Sequence, residues 1–587
     1  MSTRSLRAID REQKSVTRAE GSRGAHPVVP ALCSALLLWF SFPPASWGWL
    51  AWVALAPLFL LVRSERSRWA IYCGAWAGGL LFWLLSIHWV RLTDPTAWLA
   101  WLVMALFLSL WWPAFLFVTR LAVRRLKLPM MVAAPVVWVG LEFLRAFVLT
   151  GFPWYYLAHS QYRYLHLIQI SDFSGSLGLS FLVAMANACW VDLLTRPLFR
   201  PTPRGTRLAP AQALRLTVLA LSMAATLGYG AYRLSTAQFR TGPRLALLQS
   251  NIKQEYKTKR SPEEILATYQ RLVVKALSAD PPPDLIVWPE TSYPYGFVAL
   301  DPLLDSASFA AQVKSLDSKG SVEFWLDKLQ RVSSQLHGWV DSAKIPMLVG
   351  SLYYDFHRTG LSRYNAAILF EPGSQAIQTY FKLHLVPFGE YVPLIQTFPW
   401  LIALTPFRGT DHVPGLSFGR EPRWFDMKGV RFATAICFED SLPDVVRRFF
   451  AETRDGHPPD ILINISNDGW FQWSDELDMH LAVSVFRAVE NRVPLARAVN
   501  TGISALIDGN GRIDAQLPKN TEGVLVGSVW LDDRVSMYTS WGDWPGQACL
   551  LISIGLLPLG LGQFFYKRPR GDGKSRVTPS PSLPLTH

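Results

Sequence analysis

Seven apolar stretches crowd into the first 232 residues of this 587-residue chain, at 28–44, 47–62, 69–90, 96–119, 129–151, 164–195 and 214–232; none follows until an eighth at 544–565. A helix crossing the hydrocarbon core of a bilayer needs about 20 predominantly apolar residues. A chain patterned this way cannot fold as one soluble globule. The first two stretches are short, and Pro43 and Pro44 mark the turn between them. The pattern predicts eight spanning helices, seven before a long middle region and one after it. Composition agrees, with half the residues hydrophobic, 25 Trp and 33 Phe.

The net charge of +13 resembles a nucleic-acid signal until it is located. Five stretches (1–27, 63–68, 120–127, 196–215 and 566–587) hold 23 Lys and Arg against 5 acids, a balance of +18. The remainder carries 34 basic and 39 acidic residues, or −5. Basic clusters beside apolar segments are topology signals, so a nucleic-acid partner is not expected. Arg4, Arg7, Arg11, Arg18 and Arg23 precede the first segment without a clear small-residue cleavage site, so that segment is read as retained. With the N-terminus in the cytoplasm, every basic loop falls inside. The alternate loops at 45–46, 91–95 and 152–163 contain only Arg91 and Arg163. The organisation expected is a basic cytoplasmic tail at 1–27, a seven-helix membrane domain at 28–235, an external domain at 240–542, a last spanning helix at 543–566 and a basic tail at 567–587.

The middle region has a different grain. "RLALLQSNI" (244–252), "DLIVWPE" (284–290), "IPMLVGSLYY" (345–354), "RYNAAILFE" (363–371), "VRFATAICFE" (430–439) and "DILINISND" (460–468) read as short buried strands. Helical stretches at 261–279 and 478–492 separate some of them, which predicts a layered α/β domain. The stretch 300–343 exceeds ordinary connections and is expected to be an insertion or a mobile excursion. The tail after 570 is rich in Pro and Ser.

Cys33, Cys73, Cys189 and Cys549 lie inside apolar segments, where free cysteine packs as a small hydrophobe. Cys437 alone lies in the soluble-looking region, at the end of "FATAIC" and directly before Phe438, Glu439 and Asp440. No CxxC pair or Cys/His cluster suggests zinc. Two other strand regions end in chemically loaded residues: Glu290 in "WPETSYP", and Lys382 with Glu390 in "YFKLHLVPFGEYVP". A thiol must ionise to attack, so it needs a base and a cationic setting. Glu290 could take the proton and Lys382 could hold an oxyanion. Taken singly, each residue has a plainer reading: a cap or surface acid, a solvated lysine, a packed thiol. Spacing alone does not show that they meet.

Together, Glu290 in "WPE", Lys382 in "YFKLHLVPFGEYVP" and Cys437 in "ICFED" resemble the Glu–Lys–Cys triad of the nitrilase superfamily, an αββα sandwich. The run "LVPFGEYVP" is similar to that of one branch, the apolipoprotein N-acyltransferases of Gram-negative inner membranes. "GFPW" (151–154), "QSN" (249–251), "NISNDGWF" (464–471), "RAVENR" (487–492) and "NTGISALIDGNGRI" (500–513) carry the resemblance along nearly the whole chain. It implies a periplasmic catalytic domain, no cofactor or metal, and a monomer. It also implies transfer of an acyl chain from a phospholipid, typically phosphatidylethanolamine, through a Cys437 thioester. The acceptor would be the N-terminal amine of an S-diacylglyceryl-cysteine lipoprotein. Glu390 and Glu439 would support the triad; the substrate-binding residues are not implied. Phe438 stands where the family often has Tyr, and Thr258 in "NIKQEYKT" where it often has Trp.

Two membrane features stay open at this level. Glu142 and Arg145, three apart within 129–151, read equally as a functional pair or as a structural ion pair. "TFPWLIALTPF" (397–407) reads as a surface gate for acyl chains or as a simple interfacial anchor. A membrane-anchored amidase that lets water resolve the thioester, and a scaffold without catalysis, are the rival functions.

Overall fold

The computed structural model of the chain describes residues 26–202, 205–254, 260–316, 320–395, 397–404, 415–453 and 455–566. The expected tails at 1–27 and 567–587 fall almost wholly outside the described residues, as do Thr258 and part of 397–407.

All eight apolar stretches contain helix. The first seven supply α1 (Val28–Ser41), α2 (Gly48–Leu60), α3 (Arg68–Ser86), α4 (Ala97–Arg125), α5 (Met130–Arg145), α6 (Ser171–Thr195) and α7 (Pro210–Ser235). Of these, α3, α4, α6 and α7 are long and apolar enough to cross a membrane, as is the C-terminal helix Trp544–Tyr566 over its described side chains. α1 and α2 are shorter, and α5 has 16 residues with Pro135 inside. Glycine sets the α1–α3 contact. A Cβ on Gly74 would come within 2.9 Å of the Pro27–Val28 backbone, and one on Gly78 within 2.7 Å of the Ala31 carbonyl oxygen. Small residues four apart let two helix backbones approach this closely inside a bilayer.

The middle region builds two sheets. β1 (Phe239–Gln249), α8 (Pro262–Leu277), β2 (Leu285–Val287), β3 (Tyr293–Leu300), α9 (Ser306–Leu316), α10 (Val322–Ala343), β4 (Met347–His357), β5 (Gly360–Phe370) and β6 (Ile377–Phe381) come first. β7 (Trp424–Met427), β8 (Val430–Ile436), α11 (Pro443–Ala451), β9 (Ile461–Ser466), α12 (Glu476–Asn491), β10 (Leu495–Val499), β11 (Ala505–Ile507), β12 (Ile513–Gln516) and β13 (Gly523–Asp532) follow, before α13 (Trp544–Tyr566). One sheet runs β13-β1-β2-β4-β5-β6 with β3 also paired to β4, and the other runs β12-β11-β10-β9-β8-β7. β1, β2 and β4 are parallel, as are β8, β9 and β10.

Strand alternation assembles the layers. Leu245, Leu247, Leu285 and Val287 share a core with Ala433, Ala435, Leu462 and Ile463 of the facing sheet. The residues between them, Ala246, Leu248, Ile286 and Trp288, belong to a core with Tyr269 and Leu272 of α8 and Leu336 of α10. A period of two sends successive side chains to opposite faces, so one sheet contacts its partner sheet and its helices at once. α11 and α12 cover the second sheet, giving an αββα sandwich.

The stretch at 300–343 departs from expectation. It is mostly helix, and Phe309, Val313 and Trp325 pack with Val298 and Phe356. Val332, Leu336 and Val340 recur every four residues along α10, forming the apolar stripe that seats it on the first sheet. Trp339 stacks on Trp288 at 5.9 Å. The segment is therefore a layer of the sandwich rather than an excursion from it.

The sandwich is joined to the membrane helices through α12, which is buried along nearly its whole length. Leu481 and Val485 share a core with Leu182 and Met185 of α6, while Met479 and Val483 enter the core of the membrane helices. Buried polar contacts cross the same seam. Asp172 of α6 pairs with Arg492 at 2.7 Å, and Glu490 accepts the Ser176 N–H at 2.9 Å; within the bundle, Asp172 also pairs with Arg233 of α7 at 2.7 Å.

Candidate active site

Glu290 follows β2 after Trp288 and Pro289. A Cβ on Gly350 of β4 would lie 2.1 Å from the Pro289 carbonyl oxygen, so only glycine lets this turn approach the neighbouring strand. The carboxylate is buried and held at both oxygens. Oε1 accepts from Asn365 Nδ2 at 2.6 Å and from Lys382 Nζ at 3.2 Å; Oε2 accepts from the Asn467 backbone N–H at 2.9 Å.

Lys382 leaves the end of β6 and is 1% exposed, so its charge must be met inside the protein. Its Nζ lies 3.2 Å from Glu290 and 3.0 Å from Glu390. Burial works against the ammonium, yet Glu290 and Glu390 override it and hold its pKa well above the ordinary lysine value. Asn365 Nδ2 also donates to Glu390 Oε1 at 2.8 Å, tying the two acids together.

Cys437 closes β8 in the left-handed region, with φ +54°. A non-glycine residue held there stores strain, and such positions cluster at functional sites. The thiol is half-buried. Burial first, then the Glu290 carboxylate, push its pKa well up, while Lys382 draws it down. The sulfur lies within the electrostatic reach of both expected partners. The structure thus gathers the three residues that the spacing alone left apart.

Glu439 explains how two distant segments keep register. Its Oε2 accepts the Ile436 N–H at 2.7 Å, and its Oε1 accepts from the Leu383 N–H at 2.6 Å, the His384 N–H at 3.1 Å and the Tyr380 hydroxyl at 2.9 Å. One carboxylate therefore pins the Lys382 strand end to the Cys437 turn. Burial nonetheless pushes its pKa up to about 7. Phe438 packs against the apolar cluster shared by the membrane helices and α12, and the His384 ring lies 5.9 Å from it.

Several members of the site carried no role in the sequence reading. Asn365 bridges the two acids from β5. Asn464 donates to the Cys437 carbonyl at 3.3 Å, and the Ser466 hydroxyl donates to Asp468 at 2.5 Å. The available signal was a pair of polar residues two apart within "ILINIS", a strand otherwise apolar and wholly buried. Beyond it lies a buried ion cluster. His480 bonds Asp440 at 2.6 Å and Asp468 at 3.2 Å, and Arg497 reaches the same two acids at 3.0 and 3.4 Å. Burial opposes the imidazolium, but Asp440 and Asp468 raise the His480 pKa to about 10. Asp468, Glu476 and His480 place donor atoms within 4.8 Å of one another, a spacing a metal ion could use. Their charges are already met by the imidazolium and Arg497, so a cation would have to displace built-in partners.

The "GFPW" loop rests on this cluster. Trp154 lies 5.5 Å from the His480 ring, and Trp89 contacts both Trp154 and Phe471. Glu142 and Arg145 do not pair with one another within ion-pair distance. Glu142 accepts from Trp138 Nε1 and the Leu157 N–H, and the Arg145 guanidinium lies over Trp83 and Tyr156.

An αββα sandwich whose strand ends gather a cysteine, a glutamate and a lysine belongs to the carbon–nitrogen hydrolase class, and the family model "Carbon-nitrogen hydrolase" matches residues 244–538. A second, "Apolipoprotein N-acyltransferase N-terminal domain", matches residues 34–189. The chain is 34% identical over 529 residues to an apolipoprotein N-acyltransferase of Geobacter metallireducens, covering 89% of this chain and 92% of that one. Its identity to the Chlorobaculum tepidum protein of the same name is 30% over 557 residues, 91% of this chain and 96% of that one. A solved carbon–nitrogen hydrolase superfamily protein from Xanthomonas campestris aligns at 18% identity and TM-score 0.32, over 58% of this chain and 99% of that one. The chain belongs to the apolipoprotein N-acyltransferase family.

Proposed function

We propose that this protein acylates the N-terminal amine of S-diacylglyceryl-cysteine lipoproteins, using a membrane phospholipid as acyl donor and Cys437 as nucleophile. One observation favours a lipid donor over a free amide. Phe438, next to the nucleophile, packs against the apolar cluster that the membrane helices share with Met479 and Val483 of α12, so the reactive turn borders the joint between sandwich and bundle. An amidase acting on small soluble substrates has no need of that contact.

The chemistry divides into two half-reactions through a thioester, an activated acyl donor for an amine. Glu290 takes the Cys437 proton as sulfur attacks the ester carbonyl carbon, then gives it to the departing lysophospholipid oxygen. In the second half the lipoprotein amine attacks the thioester and Glu290 takes the amine proton. Lys382, whose charge is secured by Glu290 and Glu390, stabilises the oxyanion in both halves. Glu439 holds the lysine and cysteine segments together, and Asn365 fixes Glu290 against Glu390. Phosphatidylethanolamine is the donor on this reading and the working unit is a monomer. The sandwich faces the periplasm from the inner membrane, between helices at 28–235 and 543–566.

The test supplies labelled phospholipid to purified protein without acceptor, then adds a diacylglyceryl-cysteine peptide. Label should build up on Cys437 and move to the peptide amine. Label draining to water at one rate with or without peptide would make the protein a hydrolase. Transfer surviving in Cys437→Ala would overturn the nucleophile.

A further inference from the structure

β9 ends one register step beside the nucleophile. β8 and β9 run parallel with Ala435 opposite Asn464 and Ile436 opposite Ile465, so the next positions along the two strand ends are Cys437 and Ser466. Ser466 is fully buried, and its hydroxyl donates to Asp468 Oδ1 at 2.5 Å. Asp468 is held in turn by His480 at 3.2 Å and Arg497 at 3.4 Å, with Asp440 on the far side of His480 at 2.6 Å. Buried ion clusters are costly, and well-packed apolar residues of the same volume often serve stability equally well. This one abuts the reactive sulfur, and neither half-reaction above uses it.

Resting on the reading that Cys437 is the nucleophile, we propose that the Ser466 hydroxyl is a rotating hydrogen-bond donor that turns to the Cys437 sulfur when it carries charge and to Asp468 when it does not. Asp468 and His480 are positioning residues that act through it. In the first half-reaction the S–H proton passes to Glu290, the sulfur electron pair forms the C–S bond, and the ester C–O bond breaks as its oxygen takes that proton. In the second, the amine forms the C–N bond and its proton passes to Glu290. The C–S bond then breaks with its pair left on sulfur. Ser466 turns from Asp468 to that thiolate and returns when Glu290 gives the proton back. No other reactant is consumed. Lys382 serves the oxygen and Ser466 the sulfur, so two developing charges have separate donors.

The electrostatics agree with this division. Against burial and Glu290, Lys382 and the Ser466 hydroxyl pull the thiol pKa down, whereas Asp468 pushes it up. The charged groups around Cys437 come from every packed element: Glu290 beyond β2, Lys382 beyond β6, Glu390 behind it, Glu439 and Asp440 in the cysteine's own turn, Asp468 beyond β9, and, behind Asp440 and Asp468, Glu476 and His480 of α12 and Arg497 of β10.

The test uses full-length protein in detergent and follows iodoacetamide alkylation of the Cys437 peptide by mass spectrometry across pH. Hydrogen bonds to charged groups correspond to about 10- to 100-fold, so Ser466→Ala should raise the alkylation midpoint by about one to two pH units and slow transfer to the peptide by a similar factor. Ser466→Thr, which keeps the hydroxyl, should restore both. Asp468→Asn should lower the midpoint, and by less in the Ser466→Ala background, since only the hydroxyl's share is lost there. A midpoint unmoved in Ser466→Ala overturns the proposal, as does an Asp468→Asn shift of equal size in both backgrounds. The second comparison also decides the matter if Ser466→Ala alone is poorly stable, because the double variant is read against its own parent. Transfer by Cys437→Ala would instead remove the nucleophile assignment beneath it.

Discussion

Lys382 illustrates how burial and partners support the oxyanion-holding role proposed for a residue. A lysine 1% exposed with two acids within 3.2 Å is an ammonium fixed in place, which is what a developing oxyanion requires. Lys382→Met should lower transfer by on the order of 10²-fold or more while leaving phospholipid binding in place, measured as single-turnover acylation beside a lipid-binding titration. Glu439 has a different signature. Burial raises its carboxyl from the ordinary value of 4.5 to about 7, so the folded protein binds this proton at pH values where the unfolded chain has released it. Folded protein then holds more protons between those limits, and this group's contribution to stability falls as pH rises from 4.5 to about 7. Thermal midpoints measured across that window should decline less steeply with rising pH in Glu439→Gln than in wild type.

At the scale of elements, α10 is the instructive case. The length of 300–343 pointed to an excursion, because length is what a gap between two strand patterns makes visible. The periodicity of Val332, Leu336 and Val340 was present in the same residues and points to a helix with one buried face. Leu336→Ala should remove a fully buried side chain from between α10 and the first sheet. It should cost about 2–5 kcal/mol, read as a fall in denaturation midpoint of the full-length protein in detergent. A change below about 0.5 kcal/mol, the ordinary range for a surface substitution, would return the segment to the status of an insertion.

For the molecule as a whole, the decisive feature is the seam between sandwich and bundle. α12 contributes to both cores, and Asp172 of α6 holds Arg492 across the seam while also pairing with Arg233 of α7. Such a seam fixes the sandwich against the bundle. In the orientation proposed from the charge pattern of the loops, the sandwich lies outside the cytoplasm. Single cysteines introduced at Gln330 on α10 and at Arg207, both exposed, test this in intact cells. An impermeant maleimide should label position 330 from the periplasmic side and position 207 only after permeabilisation. The reverse pattern would invert the orientation.

Hydrophobic patterning is a local property, and what depends on it was legible in the chain by itself: eight apolar helical stretches, six of the strands, the layered α/β class, and Glu290, Lys382 and Cys437 singled out by their strand ends. β3, β6, β7 and β10 to β13, Asn365, and the linked set of Ser466, Asp468, His480 and Arg497 became visible only in three dimensions. Asn365 meets Glu290 75 positions away and Arg497 meets Asp468 29 positions away, and a buried polar residue declares its role only through the group that satisfies it. The same holds for Glu142 and Arg145, whose spacing suggested a pair. In the fold each finds a better partner: an indole and a backbone N–H for the acid, two aromatic faces for the guanidinium. Helical spacing sets which residues can share a face, whereas packing against the neighbouring helix decides whether they touch.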